Sequence, residues 1–489
     1  MNKNIDIPEK ERAIVLQGGG SLGAYEAGAY KALYERLSER DTGEGNKGRS
    51  TFDIVAGTSI GAINAAVLVS YVVENHTYEG SAERLVDFWN YLSKESMVDT
   101  NPFFKPWWDY WHAINREIAT GEAARRYFSA KEFAIFGAPN VFYPHRPTRD
   151  GKFYDFENTW YRYSNEPLRR SLERFAKFPI ATTKEDNQPR LLLVAVDVAD
   201  GIPVTFDSYP KMDGTRKTEY GRFLSDKDKE IGFEHVVHYD NGITSDQVMA
   251  SGSYPVNFDF AKIEVESYSP EPTSSRQVDL ETHSTVNASG YRKGMRYFWD
   301  GGLMTNTPLM QLVLLHRQYW YKVRGLKDSV PRLGICVINL HPKEQAEIPT
   351  DRDGVINRNN DITFSDRTLQ EEIMLLLISD FVDLTRELLK VAEERGVDKN
   401  FLAELLNQKT NFHGQFLKPR RFQDILEGRF QIDEIIRVNR KNDLDTISNK
   451  TFDFSSETIK LLLERGYNDA LDGFEEYRRN QPDKTADKK

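Results

Sequence analysis

Residues 52–68 read FDIVAGTSIGAINAAVL, and this stretch decides how the first part of the chain folds. The apolar run FDIVA predicts a buried strand, and the uncharged residues after Gly61 predict a buried helix. Between them, Ser59 stands in the pattern G-x-S-x-G, flanked by Gly57 and Gly61. A serine on a sharp strand-to-helix turn projects its hydroxyl outward, and the flanking glycines allow close backbone packing. Ser59 is therefore a candidate nucleophile, although similar turns occur in α/β proteins without catalysis.

A second unit of the same kind precedes this stretch. RAIVLQ (12–17) predicts a buried strand, GGGSLG (18–23) a glycine turn, and AYEAGAYKALYERLSER (24–40) a helix. Two consecutive strand–turn–helix units with apolar strands predict an α/β sheet that is covered by helices on both faces.

The glycine turn at 18–23 has three interpretations. Gly18, Gly20 and Gly23 match G-x-G-x-x-G, which could cradle a dinucleotide pyrophosphate at the start of the helix. That interpretation requires an acidic residue at the end of the second strand, where the chain has the Ser59 turn instead. The N–H groups of Gly18, Gly19 and Gly20 could alternatively form an oxyanion hole, which stabilises a tetrahedral intermediate. The missing acidic residue favours the oxyanion hole over a nucleotide site, with a purely structural turn as the third interpretation.

A nucleophilic serine needs a base, and Asp300 is the first candidate. It lies in YFWDGGLMTNTPL (297–309), after an apolar strand and before two glycines that let the chain turn away. A carboxylate that is shielded from water has a raised pKa and can take a proton from a serine. Taken alone, this aspartate would be a turn or cap residue; its combination with Ser59 and the glycine turn favours catalysis. His341, in INLHPKE, leaves a Ser-His-Asp triad as a weaker alternative.

The composition is that of an ordinary globular protein. The chain has 489 residues, of which 39% are hydrophobic and 29% charged, and a formal net charge of -10. This acidic balance argues against a nucleic-acid partner. Residues Ile54 to Val73 carry no charge, but glycines interrupt the stretch early, so it predicts a buried helix and not a membrane span. With no secretory pattern at the start, we expect a cytoplasmic protein, peripheral to membranes if it contacts them.

The middle of the chain holds a helical, aromatic-rich insertion at about 80–180. Within it, NPFFKPWWDYWHAIN (101–115) is expected to form core or a pocket wall, with membrane contact as the weaker alternative. RLLLVAVDVADGIPVTFD (190–207) predicts a hairpin, and the polar residues 262–294 predict a long surface excursion.

The pattern changes after about residue 350. Helical spacing covers 371–396 and recurs near 425–437 and 456–479. We therefore predict an α/β domain over 10–345, a C-terminal helical extension over 350–480 and a disordered tail over 481–489.

GGGSLG, GTSIG and DGG, in this order and spacing, resemble the patatin-like phospholipases. ASGSYPVNFD and GLMTNTPL are similar to two further segments of that family, and the resemblance covers roughly residues 10–345. The family consists of lipid acyl hydrolases with a Ser-Asp dyad, so the resemblance implies a three-layer α/β/α fold with a mostly parallel central sheet. It also implies that Ser59 is the nucleophile, Asp300 the base, and Gly18, Gly19 and Gly20 the oxyanion hole.

One residue departs from the family pattern. Leu22 stands where many members have Arg or Lys, so attraction to a phospholipid head group is expected to be weaker.

The expected activity is cleavage of fatty-acyl esters of (phospho)lipids through an acyl-enzyme on Ser59, with Asp300 moving the proton. We expect a lipid or acyl-ester substrate, transient contact with a membrane surface, no nucleic acid, and neither a metal nor a cofactor. The alternatives are an acyltransferase that uses the same dyad, or a catalytically inactive lipid-binding or scaffolding protein.

Overall fold

The fold is built around one large mixed sheet. The computed structural model describes residues 7–45, 50–97, 121–145, 162–224, 231–268, 291–411, 420–441 and 447–480. The strands of this part of the chain are β1 (Lys10–Leu16), β2 (Ile54–Thr58), β3 (Tyr143–Pro144), β4 (Tyr163–Ser164), β5 (Arg190–Asp197), β6 (Ile202–Asp207), β7 (Lys217–Leu224), β8 (Ile231–His238), β9 (Ala261–Tyr268), β10 (Tyr291–Asp300), β11 (Arg332–Asn339) and β12 (Ile432–Asn439).

Helices connect and cover these strands. They are α1 (Gly23–Gly43), α2 (Ile60–Asn75), α3 (Ser81–Leu92), α4 (Gly121–Phe136), α5 (Glu166–Phe175), α6 (Ser245–Ser251), α7 (Leu309–Gln318), α8 (Arg352–Phe364), α9 (Leu369–Glu394), α10 (Lys399–Asn407), α11 (Phe422–Leu426) and α12 (Ser456–Asn480). Among these described helices, none is long and apolar enough to cross a membrane. The uncharged stretch 54–73 is instead divided at Ser59 into a buried strand and a buried helix.

The strand order of the sheet is β12–β11–β1–β2–β5–β10–β9–β8–β7, with β6 on the other edge of β5. Neighbouring strands are parallel from β12 to β5. The pairs beyond β5 are antiparallel. These observations confirm the predicted α/β fold with mostly parallel central strands. The predicted hairpin at 190–207 is also present, as β5 and β6.

Alternate residues of the central strands face two separate cores, as three layers require. On β1, Ile14 and Leu16 pack in a core with α1, α2, α3 and α12. Ala13 and Val15 point to the other face, where α7 and Leu375 of α9 cover the sheet. Burial on both faces explains why these strands are continuously apolar in sequence.

The polar residues 262–294 are not simply a surface excursion. They begin in β9 and end in β10, which form an antiparallel pair. Ala261 pairs with Phe298 at one end of this pair, and Tyr268 pairs with Tyr291 at the other. In AKIEVESY the buried Ile263 and Val265 alternate with polar residues, which is the pattern of a half-buried strand. Residues 269–290 lie outside the described part of the chain.

The prediction of a helix near 425–437 is wrong for most of these residues. Helical structure ends at Leu426, and Ile432–Asn439 is β12, which pairs parallel with β11. The helices predicted at 371–396 and 456–479 are present as α9 and α12. The sheet therefore continues beyond the boundary predicted near residue 345.

Helices α3, α4 and α5 occupy the described parts of the insertion at 80–180. The aromatic stretch 101–115 and the tail 481–489 lie outside the described residues.

The C-terminal helix α12 packs directly against α1 through two glycines. A Cβ atom added to Gly466 would lie 2.0 Å from the carbonyl oxygen of Tyr25, and one added to Gly28 would lie 1.9 Å from that of Leu463. The two helix backbones are therefore in contact, with no room for a side chain between them.

We expect Gly466→Ala to destabilise the protein by at least about 3 kcal/mol, because the new methyl group would overlap backbone atoms that cannot move aside. Urea unfolding followed by circular dichroism measures this change. Gly43→Ala at the exposed end of α1 is the matched control, since an added Cβ meets nothing within 4 Å there. Equal stability of the two variants would contradict the direct contact between α1 and α12.

Candidate active site

Strand β5 brings the two predicted catalytic residues together. Strand β2 runs parallel to β5 and ends where Thr58 pairs with Val194. Strand β10 runs antiparallel to β5 and ends where Asp300 pairs with Ala195, the next residue of β5. Because β6 occupies the opposite edge of β5, β2 and β10 share one edge and meet with their carboxyl ends facing each other. Ser59, the residue after Thr58, is thereby placed beside Asp300.

Ser59 has an unusual backbone conformation. Its φ of 56° and ψ of −125° lie in a region that residues with a side chain rarely adopt, and such conformations concentrate at functional sites. The Ser59 N–H donates to the Ser251 hydroxyl at 2.9 Å, and Ser251 donates to the Val194 carbonyl at 2.6 Å. These two hydrogen bonds hold the turn on the side that faces Ser251 and β5. The hydroxyl of the half-buried Ser59 is left on the other side.

The two glycines that flank Ser59 allow this turn to pack tightly. A Cβ on Gly57 would lie 2.3 Å from the Gly61 carbonyl oxygen, and one on Gly61 would lie 2.5 Å from that of Leu16. Larger residues at either position would push the start of α2 away from β1 and β2.

Asp300 is a buried carboxyl group in contact with Ser59. It is only 2% exposed, and its Oδ1 accepts a hydrogen bond from the Gly302 N–H at 2.7 Å. Burial raises the pKa of Asp300 to about 7, against the lowering effect of hydrogen bonds from the Ser59 side chain and the Gly302 N–H. A carboxyl group with this pKa, bonded to a serine hydroxyl, can exchange a proton with that serine near neutral pH.

The glycine loop lies against the other side of Ser59. A Cβ on Gly18 would be 2.8 Å from the Cβ of Ser59. The Gly18 N–H is already used, because it donates to the Asn306 side chain at 3.1 Å. Within the described part of the chain, the N–H groups of Gly19 and Gly20 form no hydrogen bond. Of the three N–H groups predicted to form an oxyanion hole, that of Gly18 is therefore engaged, and those of Gly19 and Gly20 remain available as donors.

Asn306 contacts the glycine loop, and the sequence analysis did not identify it as part of the candidate site. Besides accepting from the Gly18 N–H, its amide donates to the carbonyl oxygens of Gly18 at 3.3 Å and Phe364 at 2.8 Å. Its position in GLMTNTPL was the only sequence signal, and that signal does not reveal which loop Asn306 contacts.

His341 lies behind the glycine loop and is buried. Its Nε2 is 3.0 Å from the Gly18 carbonyl oxygen, and its Nδ1 is 3.3 Å from Oδ1 of Asp361. These contacts argue against the weaker alternative of a triad based on His341, because the group that bonds to Ser59 is Asp300.

A cavity of about 300 Å³ adjoins Ser59, Asp300 and the glycine loop. Its apolar side includes Ile63, Val141, Phe142, Leu168, Phe258 and Phe454. Its polar side includes Tyr254, Asn257, Asn360, Ser448 and Asn449. An apolar wall next to the serine suits a hydrocarbon chain, and the polar side, which also includes the buried Lys450, suits the alcohol part of an ester. Leu22, at the position where the family pattern has a cation, is fully buried in the core.

Away from this cavity, three side chains lie close enough to share a cation. Ligand atoms of Asp200, Glu234 and His235 are within 4.8 Å of one another. Arg296 forms an ion pair with Asp200, and His235 Nε2 lies 2.7 Å from the same carboxylate. Since these contacts already neutralise Asp200, we interpret the group as an ion-pair network.

We expect Asp300→Asn to be more stable than wild type by about 2 kcal/mol at pH 8. Folding raises the pKa of Asp300 from 3.8 to about 7, so the folded state binds this proton more tightly than the unfolded state. The folded state therefore loses stability as the pH rises through this range. Asparagine carries no charge and keeps the oxygen that accepts from Gly302. The gain, measured by urea unfolding, should fall by more than half at pH 5; a gain that is the same at both pH values would contradict the raised pKa.

A known protein family matches more than half of the chain. The sequence model of the family described as patatin-like phospholipase matches residues 14–313, which include Ser59, Asp300 and the glycine loop. No curated protein sequence matches the chain. Among solved structures, the crystal structure of VipD from Legionella pneumophila is similar over 96% of this chain and 67% of that chain, with 12% identity and a TM-score of 0.28, which is too low to support an inference. On the strength of the family match, the chain belongs to the patatin-like phospholipase family.

Proposed function

We propose that this protein is a lipid acyl hydrolase that cleaves fatty-acyl ester bonds of (phospho)lipids. The observation that carries the proposal is the contact between Ser59 and the buried Asp300 where β2 and β10 meet. The apolar wall of the adjoining cavity supports an acyl chain as the bound group, and membership of the family supports a lipid substrate.

In the first half of the reaction, the Ser59 hydroxyl attacks the ester carbonyl carbon while Asp300 takes its proton. The negative charge that develops on the carbonyl oxygen is stabilised by the N–H groups of Gly19 and Gly20. The amino end of α2, which begins directly after Ser59, adds favourable potential for this charge. Asp300 then gives its proton to the leaving alcohol, and the acyl group stays on Ser59.

In the second half, Asp300 takes a proton from water as the water attacks the acyl group on Ser59. The same two N–H groups stabilise the second tetrahedral intermediate. As it collapses to free fatty acid, Asp300 returns the proton to the Ser59 oxygen, which restores both residues. Gly18 serves differently from its neighbours, because its N–H is bonded to Asn306 and its carbonyl oxygen fixes the loop.

We expect Ser59→Ala to abolish labelling by a fluorophosphonate probe, and both Ser59→Ala and Asp300→Asn to lower kcat for p-nitrophenyl esters by about 10³-fold or more. Asp246→Asn is the matched control, since this aspartate is exposed on α6 and pairs with Arg169. It should keep wild-type activity.

Other outcomes of this assay separate the alternatives. A folded wild-type protein without labelling or turnover would favour a lipid-binding or scaffolding protein. Transfer of the acyl group to added glycerol or lysolipid, in place of release as fatty acid, would favour an acyltransferase.

We expect kcat/KM to rise about tenfold per pH unit below pH 7 and to level off above it, because only ionised Asp300 can take the serine proton. Burial raises this pKa, so the carboxylate is the minor form at pH 6. The measurement is a pH-stat assay with a short-chain ester between pH 5 and 9. A profile already flat from pH 5 upward would show that Asp300 is not the base.

A further inference from the structure

Three buried side chains form a hydrogen-bonded chain behind the glycine loop. His341 lies between the Gly18 carbonyl oxygen and Asp361, and the Lys450 ammonium donates to the same Asp361 oxygen at 2.5 Å. The three are at most 5% exposed. The proton transfer proposed above uses none of them, so their burial beside the site calls for another explanation.

The Gly18 carbonyl and the Gly19 N–H belong to one planar peptide group. In a trans peptide these two bonds point in opposite directions, and this one is trans. His341 and Asn306 hold the carbonyl oxygen at 3.0 Å and 3.3 Å. Holding the carbonyl end of this plane also fixes the direction of the Gly19 N–H, which points away from the Gly18 carbonyl oxygen. Gly19, like Ser59, lines the cavity.

The hydrogen bond also changes the strength of this donor. A hydrogen bond donated to a peptide oxygen polarises the whole peptide group, so the N–H at the other end of the group becomes a stronger donor. A carbonyl oxygen can only accept, which means that His341 must carry a proton on Nε2 in either of its charge states. Asp361 Oδ1, which also accepts from Lys450, accepts from Nδ1 as well when the ring carries both protons, and the ring is then held between Gly18 and Asp361.

The C-terminal region supports the loop from a second direction. The Ser21 hydroxyl donates to the Lys450 carbonyl oxygen at 2.8 Å. A Cβ on Gly20, whose φ is +58°, would lie 2.5 Å from the Thr451 carbonyl oxygen. Lys450 and Thr451 form a tight turn before α12, while Asp361 lies on α8.

We propose that His341 is a positioning residue for ester hydrolysis. It holds the Gly18–Gly19 peptide so that the Gly19 N–H meets the oxyanion, and Asp361 and Lys450 fix its ring. The inference rests on the proposed function, and it gives the region after residue 350 a direct part in building the oxyanion hole.

Three variants of His341 separate this role from general packing. Glutamine places its amide nitrogen near the position of Nε2 and can still donate to Gly18. Asparagine reaches only the position of Nδ1, and phenylalanine keeps a ring but donates nothing.

We expect the kcat of His341→Gln to stay within about threefold of the wild-type value. The kcat of His341→Asn and of His341→Phe should fall about ten- to a hundredfold, with KM within about twofold of wild type. The loss should be in kcat, because the oxyanion is present in the tetrahedral intermediate and its transition states but not in the bound ester.

His316 provides the matched control. It is also fully buried, its Nε2 is 2.8 Å from the Pro331 carbonyl oxygen, and its Nδ1 is 3.1 Å from the Glu11 carboxylate. It lies by the amino end of β1, at the opposite end of the sheet from Ser59. We expect His316→Phe to lower Tm as much as His341→Phe while leaving kcat unchanged.

Amide hydrogen exchange of the peptide that covers residues 17–22 tests the same contact without turnover. We expect faster exchange in His341→Phe and wild-type exchange in His316→Phe. Equal kcat losses in His341→Gln and His341→Asn, or wild-type kcat and exchange in His341→Phe, would overturn the proposal. If wild type neither turns over esters nor reacts with a fluorophosphonate, the proposed function fails, and the exchange experiment still decides whether His341 holds the loop.

Discussion

The shared edge of β5 is the constraint on which the site depends. Two strands that approach from opposite directions can both pair with this edge of β5 only if both end where they meet, at Val194 and Ala195. This geometry buries Asp300 inside the sheet, and the burial that makes its charge costly also gives it a pKa suited to a base. The placement of Ser59 beside Asp300 and the protonation behaviour of Asp300 therefore have one cause.

The sequence was sufficient to predict the structural features that are encoded by residues close together in the chain. The strand, the Ser59 turn and α2 are encoded within seventeen residues, and the glycine loop within six, so local patterns sufficed for both. Among contacts between distant parts of the chain, the sequence analysis expected that of Ser59 with Asp300, from the combination of motifs and the family resemblance, but not the contacts that hold the glycine loop. Asn306, His341 and the turn at Lys450 reach Gly18, Gly20 and Ser21 across hundreds of residues, and a single sequence does not reveal such pairings.

The missed strand β12 has a specific physical reason. In IDEIIRVN the buried positions are those of Glu434, Ile436 and Val438, so one position of the inward face carries a charged residue. Glu434 is satisfied there by Lys10 at 2.7 Å and Arg40 at 3.1 Å, which lower its pKa to about 2 in spite of burial. Without knowledge of these two distant cations, the alternation of a strand is hidden, and the apolar residues fit a helix equally well.

The place of β12 in the sheet affects how the protein can be divided. A fragment that ended near residue 345 would lose β12 and expose a row of unpaired N–H and C=O groups along β11, from Leu333 to Asn339. Unprotected strand edges recruit other chains, so this fragment would be prone to self-association and aggregation. The same cut would uncover the face of α1 that contacts α12. Although the family match ends at residue 313, a fragment that keeps the edge of β11 and the face of α1 covered has to include the C-terminal region.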